Sequence, residues 1–198
     1  MAELQSLDQA ETAGTRYAYK ASLIGSAHEF QLTDAGLQWQ AGGKSGLWRY
    51  ADIAAVRLSY RPVSMQSRRF RCDIDHVNRQ RLVVASTTWQ TVTLMTPQDD
   101  PYRAFVLELH RRLAASGSSA RLIGGLKPGL YGLGVALLIL VAIAVTGLLA
   151  RAVATAQWGG AFFLIGFAVL FGWQIGGFIR RNQPRHYRFD QVPQALLP

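Results

Sequence analysis

The chain has 198 residues, of which 49% are hydrophobic and 17% are charged, and its formal net charge is +9. This length accommodates one domain of ordinary size with appended segments and excludes two large soluble domains. Residues 1–15 are acidic and lack a basic region followed by an apolar core. We therefore expect a disordered acidic tail there, and neither a cleaved signal peptide nor a lipid-attachment signal.

Residues 16–117 contain several short runs in which apolar and polar side chains alternate, as they do in half-buried strands. The first run places Tyr17, Tyr19 and Leu23 on one face, which we expect to point inward. A turn at Asp34, Ala35 and Gly36 then predicts a tight hairpin with the glycine in the left-handed conformation. Six or seven strands at this spacing predict an antiparallel sandwich or open barrel.

Residues 54–62 and 69–76 form the next predicted strand pair, with apolar side chains inward and arginines outward. Asp73 and Asp75 share the outward face with these arginines. We therefore expect cross-strand ion pairs there and not an acid and base pair for catalysis. Residues 89–95 fit either one more strand or an irregular crossing.

One amphipathic helix follows the predicted strands. Asp100 is a suitable N-cap with Pro101 at the first helical position, and Gly117 is a natural stop. The apolar stripe must cover another surface, most simply an open end of the sheet. This stripe consists of Tyr102, Phe105, Val106, Leu109 and Leu113.

Two uncharged apolar runs occupy residues 129–150 and 161–179. About 20 such residues in a helix cross the roughly 30 Å hydrocarbon core, so we predict two transmembrane helices. Two buried core helices are the alternative, but those usually carry polar residues on one stripe. The remaining segments are a linker at 118–128, an external loop at 151–160 and a cytosolic basic, proline-containing tail at 180–198.

Basic residues flank the two predicted spans asymmetrically. Only Arg151 lies in the intervening loop, whereas several lysines and arginines lie on the other side. The positive-inside rule therefore predicts an integral membrane protein with both termini in the cytoplasm. The expected topology anchors are Arg121, Lys127, Arg180, Arg181 and Arg185.

Strands closed by one C-terminal helix follow the order of the pleckstrin-homology fold. The chain resembles this fold over residues 16–116, in the stretches LTDAGLQW and WRYADIAAVRLSY and in the final helix. With the two apolar runs, it resembles bacterial membrane proteins that carry a pleckstrin-homology-like domain beside two transmembrane helices. The resemblance implies an α+β, mainly β fold: a pleckstrin-homology-like antiparallel sandwich or open barrel with one C-terminal helix, followed by a transmembrane helical hairpin in the bacterial inner membrane.

Motifs for catalysis or cofactor binding are not found in the sequence. The histidines have no partners at zinc-ligand spacing, and no serine occupies a nucleophile elbow. The glycines form no phosphate-binding loop. Cys72 lies in an alternating run and is best interpreted as a small core residue. We therefore expect a protein that is not an enzyme and that holds no metal or cofactor.

A cluster of arginines is the strongest candidate for a binding surface. Residues 16–127 contain twice as many basic as acidic side chains, and the predicted spans hold this domain beside an anionic leaflet. The cluster is expected to contact anionic lipid headgroups or a protein partner, and a solvated strand face is the alternative. Nucleic acid is not expected, because no aromatic residues interleave the arginines. The cluster consists of Arg57, Arg61, Arg68, Arg69 and Arg71.

Small residues recur at four-residue spacing in both predicted spans. Such faces allow close helix contact within the hairpin, between copies of the chain, or with a larger membrane protein. The second span also contains the polar Gln174. A polar side chain in lipid needs a partner, so Gln174 is expected to face another helix. The residues concerned are Ala142, Thr146, Ala150, Gly172 and Gly176, together with the polar Gln174.

Three interpretations remain open for the segment after the second span. It is disordered, or it adds a strand to the β-rich domain through residues 186–189, or it presents residues 192–198 to a partner. At the level of function, we expect a non-catalytic membrane-anchored binding or scaffold protein. The alternative is an accessory subunit of a larger membrane transporter or enzyme complex, docked through the helical hairpin.

Overall fold

The computed structural model describes residues 16–62, 68–91 and 95–198. These residues form an α+β protein with two compact units. The first unit consists of the chain up to Gly125 together with Arg185–Pro198, and it is rich in β-strands. The second unit, Leu126–Pro184, contains two long apolar helices. The predicted division into a β-rich N-terminal part and a helical pair is confirmed.

A four-stranded antiparallel sheet opens the first unit, in the order β1-β2-β3-β4. Alternate side chains such as Phe30 and Leu37 are buried against the core. The predicted hairpin at Asp34 is confirmed, since Thr33 pairs with Gly36 across a two-residue turn. The strands are β1 (Arg16–Tyr19), β2 (His28–Thr33), β3 (Gly36–Ala41) and β4 (Lys44–Trp48).

A second sheet has five strands in the order β11-β10-β5-β6-β7. It packs its apolar side chains, among them Val56, Leu58 and Ile74, into the same core. Its strands are β5 (Ile53–Tyr60), β6 (Phe70–His76), β7 (Arg81–Ala85), β10 (Arg121–Gly124) and β11 (Arg185–His186), and a separate hairpin is formed by β8 (Thr87–Trp89) and β9 (Met95–Pro97). Both ends of the segment 89–95 therefore lie in strands, while residues 92–94 lie outside the described residues.

Helix α1 (Asp99–Ala115) covers the core with the predicted apolar stripe, whose members are all fully buried. The expected N-cap at Asp100 is wrong, because the helix already begins at Asp99 and its N-cap is Gln98. Asp99 and Asp100 instead lie in the first turn, where their charge favours the helix dipole. The predicted stop is confirmed, since Gly117 has a φ of +64° directly after the C-cap.

The segment predicted as a linker, 118–128, contains strand β10. This strand runs parallel to β5, with Leu122 opposite Val56, and the side chain of Leu122 is buried. Four residues are too short for a recognisable alternation, so the strand is visible only through its pairing with β5. The chain therefore leaves the first unit only after Gly125 and not after Gly117.

The segment after the helices is ordered and belongs to the first unit. Strand β11 pairs antiparallel with β10, and a 3-10 turn at Gln194–Leu196 follows. Leu196 and Leu197 are buried in the core, at 0% and 4% exposure. Of the three interpretations of this segment, the structure therefore contains the added strand.

The second unit contains helix α2 (Pro128–Ala154) and helix α3 (Trp158–Arg181). Both helices are long and apolar enough to span a membrane, and their most apolar windows are not buried inside the protein. This combination suggests membrane association. The helices extend well into the predicted loop 151–160, since only residues 155–157 separate them.

Candidate functional site

The register of β5 and β6 brings the predicted arginine cluster together on one side of the second sheet. Ser59 lies opposite Arg71, and the amide of Arg61 donates to the carbonyl of Arg69 at 2.8 Å. Alternate residues of a strand share a face, so these side chains lie on the face opposite the core. We call this surface the cationic face and define it as Arg57, Ser59, Arg61, Arg69 and Arg71.

Only part of the positive charge on this face is neutralised. Asp75 pairs with Arg81 of the neighbouring strand β7 at 2.5 Å, which is an ion pair of the expected cross-strand kind, whereas Asp73 pairs with Arg71 of its own strand at 2.7 Å. Within the described residues, Arg57, Arg61, Arg68 and Arg69 make no ion pair. Positive charge is therefore in excess at this position of the sheet.

Three polar atoms of the cationic face are buried and have no hydrogen-bond partner among the described residues. They are Nη1 of Arg57, Nε of Arg69 and Oγ of Ser59. Ser59 is only 1% exposed. Burial lowers the pKa of Arg69, and the nearby Arg71 and Arg61 lower it further. The guanidinium still remains protonated at neutral pH, because the ordinary arginine pKa lies above 12.

The cationic face extends to one end of the sheet, where β5 and β10 end and β6 begins. The chain leaves the first unit at this end. Strand β10 runs parallel to β5, and the amide of Gly125 donates to the carbonyl of Leu58 at 2.8 Å. Strand β11 begins at this same end, because Arg185 pairs with Gly124. Both connections to the helical unit therefore start at the end of the sheet that carries Arg61, Arg68 and Arg69, which we call the arginine edge.

Two exposed apolar side chains lie in the loop between β1 and β2. Leu23 is 42% exposed and Ile24 is 92% exposed. The prediction that Leu23 points inward is wrong, because β1 ends at Tyr19 and the alternation ends with it. Burial raises the pKa of Tyr19 to about 12 against the opposing charges of Arg69 and Arg71. The sequence signal for this exposed apolar pair is the occurrence of two adjacent apolar residues in an otherwise polar turn.

The predicted topology anchors occupy three kinds of position. Lys127 is the N-cap of α2, and Arg180 and Arg181 lie in the last turn of α3. Arg121 and Arg185 instead belong to strands β10 and β11. These last two are thus part of the folded sheet in addition to lying close to the spans in sequence.

Most of the small residues that were expected to pack the helices are exposed. Ala142, Thr146 and Ala150 are exposed, and a side-chain carbon added at Gly172 or Gly176 would meet no atom within 4 Å. Gln174 is also exposed. The partly covered positions of α2 carry larger side chains, namely Tyr131, Val135, Leu138, Val141, Val145 and Leu149. Ala142, Thr146, Ala150 and Gly172 are therefore open to another helix, whereas Gly176 is partly covered.

Cys72 and His110 are both buried in the first unit. Burial raises the pKa of the Cys72 thiol far above its ordinary value, which disfavours the reactive thiolate. His110 contacts the carbonyl of Val106 at 2.7 Å and the hydroxyl of Tyr187 at 2.9 Å. Among the described residues, no group of three or more histidine, cysteine or acidic side chains is placed to hold a metal ion.

Comparisons of this chain with protein-family models, with curated proteins and with solved structures gave no match.

Proposed function

We propose that this chain is a non-catalytic, membrane-anchored binding or scaffold protein whose arginine edge contacts anionic lipid headgroups. One observation carries the proposal. Both connections to the apolar helices start at the sheet edge where Arg61, Arg68 and Arg69 lie without ion pairs among the described residues. A cationic surface at that position would meet the membrane by virtue of the chain path alone.

The length of the connections supports this orientation. Residues 125–127 separate β10 from α2, and residues 182–184 separate α3 from β11. Three extended residues reach at most about 11 Å. The connections are therefore about as long as the roughly 10 Å over which salt screens charges.

Charge and apolar surface both favour contact with a leaflet. Each arginine near an anionic membrane surface contributes on the order of 1 kcal/mol. Leu23 and Ile24, in the loop after β1, are exposed apolar side chains of the kind that bury area in the headgroup region.

The first unit is proposed to be a pleckstrin-homology-like domain. Its order of elements supports this: four antiparallel strands, then the antiparallel strands β5, β6 and β7, and, after the hairpin β8–β9, helix α1 across the core. The hairpin β8–β9 and strands β10 and β11 are additions to that order. In the proposed location, the bacterial inner membrane with both termini in the cytoplasm, the domain would face the anionic inner leaflet.

Mass spectrometry of lipids that co-purify with the full chain in mild detergent tests the proposed lipid contact. We expect anionic lipids to be enriched with the wild-type chain, and this enrichment to fall by at least about tenfold in a variant with Arg57, Arg61, Arg68 and Arg69 changed to glutamine. Arg16→Gln together with Arg49→Gln removes exposed charge elsewhere in the first unit and serves as control. Equal enrichment in all three proteins would rule out the lipid contact.

A second candidate function is that of an accessory subunit of a larger membrane transporter or enzyme complex. The open faces at Ala142, Thr146 and Gly172 favour it, because small residues exposed on a span permit close approach of another helix. A stoichiometric protein partner in the same mild-detergent preparation, lost on Gly172→Leu, would support this function. A homogeneous small particle without protein partner would count against it.

A further inference from the structure

Ser59 is the centre of a group of hydrogen-bonding atoms that the fold buries without satisfying them. Its hydroxyl oxygen, Arg57 Nη1 and Arg69 Nε lack partners among the described residues. A buried polar group without a partner costs about 1–3 kcal/mol, so three on one face of two neighbouring strands need a physical explanation.

The register places these groups within reach of one small ligand. Arg57 and Ser59 are alternate residues on one face of β5, and Arg71 lies directly opposite Ser59. Arg69 is the diagonal neighbour of Ser59 on β6, where side chains of this kind are separated by about 7–8 Å at the backbone. A guanidinium extends over most of that distance, so Arg57 and Arg69 can both approach a ligand above Ser59.

The charge of the group selects the ligand class. The two arginines donate only, and a serine hydroxyl also donates readily. The charge of Arg71 is already neutralised by Asp73, so Arg71 does not require an anionic ligand. A ligand that offers several acceptor oxygens and negative charge satisfies all three groups, whereas a cation or an apolar ligand satisfies none.

We propose that Arg57, Ser59 and Arg69 form a binding site for a phosphate group, held by charge-assisted bonds from the two guanidiniums and a hydrogen bond from the serine hydroxyl. The site deepens the proposed function and rests on it for one source of the ligand, the headgroup of a membrane lipid. A soluble phosphate compound is the other source, and it presents the same chemistry.

Thermal unfolding of the full chain in a neutral detergent tests the site with inorganic phosphate as the probe. At constant ionic strength set with chloride, we expect the Tm of the first unit to rise by roughly 3 °C for each tenfold increase in phosphate above the dissociation constant. The variant Arg57→Gln with Arg69→Gln should lose this rise. The control Arg16→Gln removes an exposed charge from β1 and should retain it.

Ser59→Ala gives a readout that a merely structural serine would not give. Without phosphate, we expect its Tm to equal or exceed that of the wild type, because the substitution removes a buried hydroxyl that has no partner. With phosphate, its gain in Tm should be smaller than the gain of the wild type. An identical gain in Tm with phosphate for the wild type and for Ser59→Ala would overturn the proposal.

A second arm identifies the source of the phosphate group. The full chain is placed in nanodiscs of phosphatidylcholine alone or with added phosphatidic acid, whose headgroup is a phosphate monoester. A Ser59-dependent gain with phosphatidic acid assigns a lipid source, and a gain with inorganic phosphate only assigns a soluble one. Absence of both gains overturns the site. Enrichment of anionic lipids that depends on the arginines, together with the absence of both Ser59-dependent gains, would leave the proposed function standing while refuting this site.

Discussion

Gly36 shows how one residue fixes the turn between β2 and β3. It has a φ of +145°, and a side-chain carbon there would lie 2.2 Å from the carbonyl oxygen of Trp48. We expect Gly36→Ala to lower the free energy of unfolding by at least about 2 kcal/mol, since backbone strain and the clash add. Gly42 also has a positive φ of +59° but has no atom within 4 Å of the added carbon.

Gly42→Ala is therefore the matched control and should cost only about 1 kcal/mol. Denaturant unfolding of both variants in detergent compares them directly. Equal losses of stability would mean that the contact with Trp48 is unimportant.

The pH dependence of stability is expected to reside partly in His110. Burial lowers the pKa of His110, although its bond to the Val106 carbonyl opposes the shift. Because that carbonyl only accepts, Nδ1 carries the proton and Nε2 accepts from the hydroxyl of Tyr187. The folded state thus favours the neutral ring. Its contribution to stability is present above the unfolded pKa of about 6.5 and is lost as the pH falls below it.

Thermal unfolding of wild type and His110→Asn between about pH 7.5 and 5.5 measures this contribution across the ordinary histidine pKa. The asparagine can still donate to Val106 but does not titrate, so the difference in stability between the two proteins should shrink as the pH falls. His28 titrates in both proteins, and burial lowers its pKa as well, so its effect cancels in the comparison. Parallel pH profiles would contradict the role of His110.

At the residue scale, the sequence was sufficient for the direction of side chains and insufficient for their partners. Alternation in residues 54–62 and 69–76 correctly predicted an outward face with Arg57 and Arg71. The unsatisfied Ser59 depends on the register between two strands, which alternation does not specify. The exposure of Ile24 depends on where β1 ends, which is likewise a property of its pairing with β2.

At the element scale, the C-terminal segment packs into the core of the first unit. Leu196 is fully buried, and Arg103 of α1 donates to the main-chain oxygen of Pro198 at 2.9 Å. We expect Leu196→Ala to reduce the free energy of unfolding by about 2–4 kcal/mol, because it leaves a cavity in the core. Denaturant unfolding of the full chain measures the loss.

Gln191→Ala alters an exposed side chain in the same segment and should change stability by less than about 0.5 kcal/mol. If Leu196→Ala behaved like this control, the segment would not be part of the core in solution.

The elements that sequence analysis identified are those with long, periodic patterns. Helix α1, the two apolar helices and the strands around residues 54–62 and 69–76 all carry such patterns. Strands β10 and β11 have four and two residues, and they form because partners in the sheet accept their hydrogen bonds. No local pattern reveals a strand whose stability comes from pairing across the fold.

At the scale of the whole molecule, the basic residues predict the topology of the chain. Lys127, Arg180 and Arg181 lie at one end of the two helices, while residues 155–157 connect the other ends. We expect a reporter inserted after Thr155 to be external and a reporter fused after Pro198 to be cytoplasmic, since basic flanks are retained inside. An external C-terminus would overturn the proposed location of the first unit.

Depth measurement by spin labels tests most directly whether the arginine edge faces the membrane. The native Cys72 is buried and should not react, so single labels can be placed at Pro62→Cys, beside Arg61, and at Asn78→Cys, in the turn at the other end of β6. In anionic nanodiscs with a relaxation agent bound to the lipid headgroups, the Pro62 label should relax much faster, because one strand of β6 length separates the two sites by about 20 Å. Equal relaxation at the two sites, or faster relaxation at Asn78, would contradict the account.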